Sequence, residues 1–196
     1  YVPSRAPGSP VHEAIVGVLD LLGGPLLTNL ASLVAAVVLL VGLDRLLRRE
    51  GVGPSGRWAV VLVAANPWFV IAATSTVDYL FALLFVVYAA LALRSGRPVL
   101  AGVLAALSMG TRIGPGALLV ALFGAEPTEP LGDGGGDGGR GPAVRRVGIA
   151  AVVAGVLTAV LFVPAYLSAG GLSFAENDFS TSSPLVQLGR ALVKDL

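Results

Sequence analysis

Apolar residues run through this chain in long blocks, and short polar clusters cut the blocks apart. Val11, Ile15, Val18, Leu19 and Leu22 recur at helical spacing, with His12, Glu13 and Asp20 elsewhere on the wheel. This spacing predicts an amphipathic helix over Val11–Leu22. The stretch falls short of the roughly 20 residues a bilayer crossing needs, so it is expected to lie in the interface, ended by Gly23-Gly24-Pro25. A first span is predicted over Leu26–Leu47, closed by Arg45, Arg48, Arg49 and Glu50. After the Gly51–Gly56 turn come a second span, Arg57–Ser75, and a third, Thr76–Leu93, with almost no loop between them. Two shorter apolar pieces follow, Val99–Gly110 and Gly116–Gly124, parted by Thr111-Arg112-Ile113-Gly114-Pro115. They read either as a short helical hairpin or as one broken helix. A last span is predicted over Val147–Leu167, and the polar Ser168–Leu196 holds a second weak amphipathic piece, Leu185–Val193.

Composition turns these blocks into a fold class. Hydrophobic residues make up 55% of the 196 and charged residues 13%, with a mean hydropathy of +0.84. Water-facing domains carry about 25% charged residues. The expected class is therefore all-α: a polytopic integral membrane helical bundle with an interfacial amphipathic helix and a short broken helix pair. Its parts are an outer-face loop and interfacial helix (1–25), membrane helices (26–124), a cytoplasmic Gly/Asp-rich loop expected to be disordered (125–146), a further membrane helix (147–167) and an outer-face segment (168–196). The expected location is the plasma membrane. Tyr1 stands where a Met would open a gene product, with no signal-peptide pattern after it, so the chain is expected to lack its own N-terminus.

Thirteen basic residues against 12 acidic give no polybasic signature for nucleic acid, and the absence of cysteine removes disulfides, thiolate metal sites and cysteine nucleophiles. Basic residues also set the orientation, because they accumulate in cytoplasmic loops. With the two short pieces as a hairpin, Arg45, Arg48, Arg49, Arg57, Arg94, Arg97, Arg140, Arg145 and Arg146 fall inside, nine in all. Arg5, Arg112, Arg190 and Lys194, four, fall outside. A single broken crossing gives eight against five, so the hairpin is favoured. In both arrangements Tyr1–Pro25 and the Ser75–Asp78 turn share the outer face.

Few residues here can do chemistry. Asp78 sits at the tight turn Thr74-Ser75-Thr76-Val77-Asp78-Tyr79. An acid at membrane depth is costly and is expected to face a cavity or a partner, or else to serve as an N-cap or first-turn acid. Arg112 has a planar fork that suits a phosphate bidentately; the alternative is an arginine snorkelling to headgroups. Gly110, Gly114, Pro115 and Gly116 around it favour a functional break. His12 and Glu13 form the lone His–acid pair, and adjacent helical positions point apart, so the pair is a weak metal signal. Asn66-Pro67-Trp68 predicts a kink, with Asn66 available to satisfy the freed backbone. Asp78 and Arg112 are expected to face a shared polar cavity at the outer end, with His12 or Glu13 on its rim.

Three passages resemble the C-type glycosyltransferase superfamily, polytopic enzymes that use polyprenyl-phosphate-linked sugars, and within it the protein-mannosyltransferase and lipid A aminoarabinose transferase branch. The first is Arg5-Ala6-Pro7-Gly8-Ser9-Pro10-Val11-His12-Glu13, similar to a Pro-rich end of an outer loop before an interfacial helix. The second is Asn66-Pro67 followed by Asp78 at the next outer turn. The third is Gly102-Val103-Leu104-Ala105-Ala106-Leu107-Ser108-Met109-Gly110-Thr111-Arg112. The resemblance covers about Tyr1–Leu167 and rests on the order of its motifs more than on any one. It implies sugar transfer from a polyprenyl-phosphate donor to an acceptor on the non-cytoplasmic face. Asp78 then matches the family's second outer-loop acid, a catalytic-site residue that helps bind a divalent metal (Mg or Mn) or position the donor, with Arg112, His12 and Glu13 binding substrate. The family's first outer-loop Asp, the general base on the acceptor, is expected to fall before Tyr1. Two other classes remain: a non-catalytic membrane subunit or degenerate fragment, and a transporter, which the absence of an internal repeat disfavours.

Overall fold

The computed structural model describes residues 9–124 and 140–168. Among these every regular element is an α-helix: α1 (Pro10–Arg49), α2 (Pro54–Ala65), α3 (Pro67–Thr74), α4 (Asp78–Arg94), α5 (Pro98–Thr111), α6 (Gly116–Gly124) and α7 (Arg140–Ser168). Helices α1 and α7 are each long and apolar enough to cross a membrane, and α2 with α3 makes a third such stretch if the bent pair is one span. The expectations for residues 1–8, for the Gly/Asp-rich run of 125–139 and for 169–196, including Leu185–Val193, lie outside the described residues.

Proline opens α1, α2, α3 and α5. Its ring presets the helical φ, and its missing N–H has no partner to lose in a first turn. The same logic bears on two of the expected boundaries. Gly23-Gly24-Pro25 does end the first helical segment, as expected: α1 is two helices that meet at a kink, with Gly24 alone outside helical geometry (φ 63°, ψ −157°). That backbone region is open essentially to glycine only, and Pro25 restarts the helix at once. The second expected span is instead two helices, α2 and α3, bent by 63°. At the bend Asn66 Oδ1 accepts from the Trp68 N–H at 2.9 Å. The asparagine therefore caps the new helix rather than satisfying a carbonyl freed by Pro67. A second difference is that Arg140–Arg146, expected in a loop, is the start of α7.

The packing places small residues inside and leaves many large apolar side chains on the surface. The interior is largely alanine: Ala82, Ala89, Ala90, Ala101 and Ala150 are fully buried, whereas Leu21 and Leu26 are 89% and 81% exposed. Small residues let helix backbones approach closely, the device that holds helices together where burial of apolar surface gives no net drive. Gly102 on α5 faces α7 so closely that a Cβ would stand 2.6 Å from the Ala150 carbonyl oxygen. Gly42 on α1 likewise admits the ring of Tyr88 on α4, whose hydroxyl donates to the Val38 carbonyl at 3.2 Å. Ser108, fully buried, donates to the Ala82 carbonyl at 2.9 Å and ties α5 to α4. The two short apolar pieces are separate helices, and α6 packs back on α4 and α5: its Leu119 and Phe123 join Val86, Ala89, Ala101 and Ala105 in one cluster.

This packing gives the bundle two ends. At one end meet the start of α4, the end of α5 and the first turn of α1; at the other meet the ends of α1 and α4 and the start of α5. The α1 segment before Gly24 stays at the first end. Its Val11 meets Gly110, while Thr76 donates to Asn29 Oδ1 just past the break, at 3.1 Å.

Candidate functional site

Asp78 is the first residue of α4, and the preceding Val77 offers no side-chain cap. It is thus a first-turn acid rather than an N-cap, favoured by the helix dipole. It is also buried, 2% exposed. A carboxylate so placed needs compensation, and Arg112 supplies it. At Arg112 the chain leaves α5 in extended geometry (φ −161°, ψ 136°), while the Arg112 N–H still donates to the Ser108 carbonyl at 2.8 Å. The side chain turns to α4, where one guanidinium nitrogen, Nη1, donates to both Asp78 oxygens at 3.3 and 3.1 Å.

Tyr79 completes the arrangement, and the sequence reading missed it. The Arg112 guanidinium carbon lies 3.7 Å from the Tyr79 ring centroid, so the cation is held by a carboxylate and an aromatic face together. The only hint was an aromatic residue directly after the acid. Arg112 keeps 31% of its side chain exposed.

The other candidates lie at the same end of the bundle. His12 makes an edge contact with Phe81, ring centroids 5.7 Å apart, one helical turn along α4 from Asp78. Glu13 follows it in the first turn of α1, half-buried. Gly110 has a packing role: a Cβ there would stand 2.6 Å from Val11 Cγ2, so glycine lets the start of α1 dock beside the Arg112 turn.

An apolar cavity adjoins Tyr79, and neither Asp78 nor Arg112 is among the residues that line it. It measures about 530 Å³ and lies between α3 and α4, walled by Leu39, Val63, Phe69, Tyr79 and Leu83 among others. Tyr79 belongs to both features, its ring forming part of the wall and carrying Arg112. A long apolar chain beside a compact anion matches that juxtaposition. Among the described residues no three of His, Asp and Glu gather into a metal-binding group, and the Asp78 oxygens face a guanidinium whose charge opposes a cation there.

Set against known proteins, the chain matches no family model, no curated protein and no solved structure.

Proposed function

We propose that this chain is a polytopic membrane protein, with the start of α1 lying in the interface, and that it transfers a sugar from a polyprenyl-phosphate donor to an acceptor on the non-cytoplasmic face. The observation that carries the proposal is the Asp78–Arg112 pair standing on Tyr79 at the wall of an apolar groove. The large exposed apolar side chains support the membrane assignment, because lipid is the solvent in which they carry no penalty.

In this reading the groove takes the apolar chain of the donor and Arg112 takes its phosphate. Phosphate competes with Asp78 for the same guanidinium, and its geometry suits the fork. As Arg112 turns to the donor, the Asp78 carboxylate is released to act. The acceptor oxygen attacks the anomeric carbon, its proton passes to Asp78, and the carbon–oxygen bond to phosphate breaks. The electron pair leaves on the phosphate, where Arg112 stabilises the charge. Each residue has one task, and the burial of Asp78 before donor binding keeps the base covered.

A second reading has its own observation. An acid 2% exposed in the first turn of a helix and bonded to a neighbouring helix is also what a structural clamp looks like. The chain would then be a non-catalytic membrane subunit. Membranes holding the protein, supplied with a radiolabelled sugar on polyprenyl phosphate, separate the two: label passes to an acceptor in the first reading, and at no more than the level of membranes lacking the protein in the second.

A further inference from the structure

At the end of the bundle away from Asp78, helices α1, α4 and α5 line a second cavity, an open one of about 400 Å³. It combines two surfaces that rarely meet. Arg45 and Arg49 from the end of α1 and Arg97 before α5 line one part, while Tyr88, Leu100 and Leu104 line another.

The charges around it do not balance internally. Arg48, also at the cavity, pairs with Asp44 at 2.6 Å, and Arg94 pairs with Glu50. Those bridges use the nearby acids. Among the described residues, Arg45, Arg49 and Arg97 are in no ion pair. Arg49 is nonetheless fixed in direction: its Nη1 donates to Ser95 Oγ at 2.5 Å and to the Leu91 carbonyl at 3.4 Å. Both partners are neutral, so the guanidinium is oriented while its charge stays uncompensated. Preorganised cations of this kind recognise phosphate.

The apolar wall says what the phosphate is attached to. Inorganic phosphate gains nothing from leucines, and a nucleic acid offers no aliphatic chain to cover them. Leu100 is 43% exposed, open to an aliphatic neighbour. The cavity also lies where the apolar helices α1 and α4 end in arginines, the depth at which lipid headgroups sit. We infer that this cavity binds an anionic phospholipid, its phosphate among Arg45, Arg49 and Arg97 and an acyl chain along Tyr88, Leu100 and Leu104. The inference rests on the membrane assignment and is independent of sugar transfer.

The test is lipid retention. The full-length protein, taken from nanodiscs of equal phosphatidylglycerol and phosphatidylcholine into mild detergent, is weighed by native mass spectrometry. Bound phosphatidylglycerol should exceed phosphatidylcholine on the order of tenfold. The combined variant Arg45→Gln, Arg49→Gln, Arg97→Gln should erase that preference. Because three changes could cost folding, Arg97→Gln alone, at an exposed turn, should lower it roughly threefold. Arg57→Gln, an exposed arginine at the same end but outside this cavity, should leave it unchanged. Equal retention of the two lipids overturns the inference. So does an equal loss with Arg57→Gln, which means diffuse surface charge, or release of the lipid by excess inorganic phosphate, which means a site for the free ion.

Discussion

Arg112 Nη1 reaches both carboxylate oxygens of Asp78, at 3.3 and 3.1 Å, across 34 positions of sequence, and joins the end of α5 to the start of α4. The two partners are unequally buried, Asp78 at 2% exposure and Arg112 at 31%. That asymmetry has consequences that separate a clamp from a catalytic pair.

Arg112→Ala should destabilise the protein more than Asp78→Asn. The first leaves a buried carboxylate without its guanidinium partner, a loss on the order of 3 kcal/mol. The second leaves an arginine that is partly exposed and still stacked on Tyr79. Thermal unfolding in detergent reads the order directly, and equal losses would mean that burial of Asp78 does not govern the pair. The exchange Asp78→Arg with Arg112→Asp should regain part of the stability if the pair is only a clamp, and should not regain transfer in either case.

Tyr79→Leu should weaken the site from its other side. Removing the ring costs the cation its aromatic face, about 1 kcal/mol, and alters the groove wall with it. Tyr79→Phe keeps the face and should behave as wild type in donor binding. A matching loss in the two variants would assign the role to the hydroxyl instead.

Gly102→Ala should separate α5 from α7. The added Cβ would meet a backbone oxygen, which cannot rotate away, and overpacking of this kind costs about 1–3 kcal/mol. Gly148, with nothing within 4 Å, is the control: Gly148→Ala should be neutral or slightly stabilising. Unfolding temperatures that move together in the two variants would contradict the close α5–α7 approach.

Much of this arrangement is legible in the sequence. The apolar blocks mark the helices, and the Gly24 and Asn66-Pro67 interruptions fall where the chain bends. What the pattern does not carry is how much of a break each interruption makes. A glycine followed by proline reads as the end of a helix, and it is one, but the next helix starts after a single non-helical residue, Gly24, because Pro25 can open a turn unaided. Prolines at 54, 67 and 98 start helices for the same reason. At the site, Asp78 and Arg112 stand out because charge is so scarce. Their direct contact does not, since nothing local fixes how α4 and α5 are rotated against each other. Tyr79 was missed because a tyrosine beside a helix start signals nothing until the arginine of another helix is seen above it.

Orientation is testable with single cysteines, since the chain has none of its own. Ser75→Cys, at the Asp78 end, should be labelled in intact cells by an impermeant thiol reagent. Ser55→Cys and Gly135→Cys should be labelled only after lysis. Labelling of Ser55→Cys in intact cells would put the arginine-rich end outside and place the Asp78 site on the cytoplasmic face.

The most direct measurement of the central claim is sugar transfer by Asp78→Asn, in membranes, from a radiolabelled polyprenyl-phosphate donor, with expression and folding matched to wild type. Asparagine keeps the volume and the hydrogen-bonding ability but cannot take the acceptor's proton. Transfer should fall at least a hundredfold or so, within the range lost with a general base, while donor binding changes little. Arg112→Lys should bind donor more weakly and recover part of the rate, because a point charge replaces the fork. Full transfer by Asp78→Asn would contradict the account and leave Asp78 as a structural acid at the start of α4.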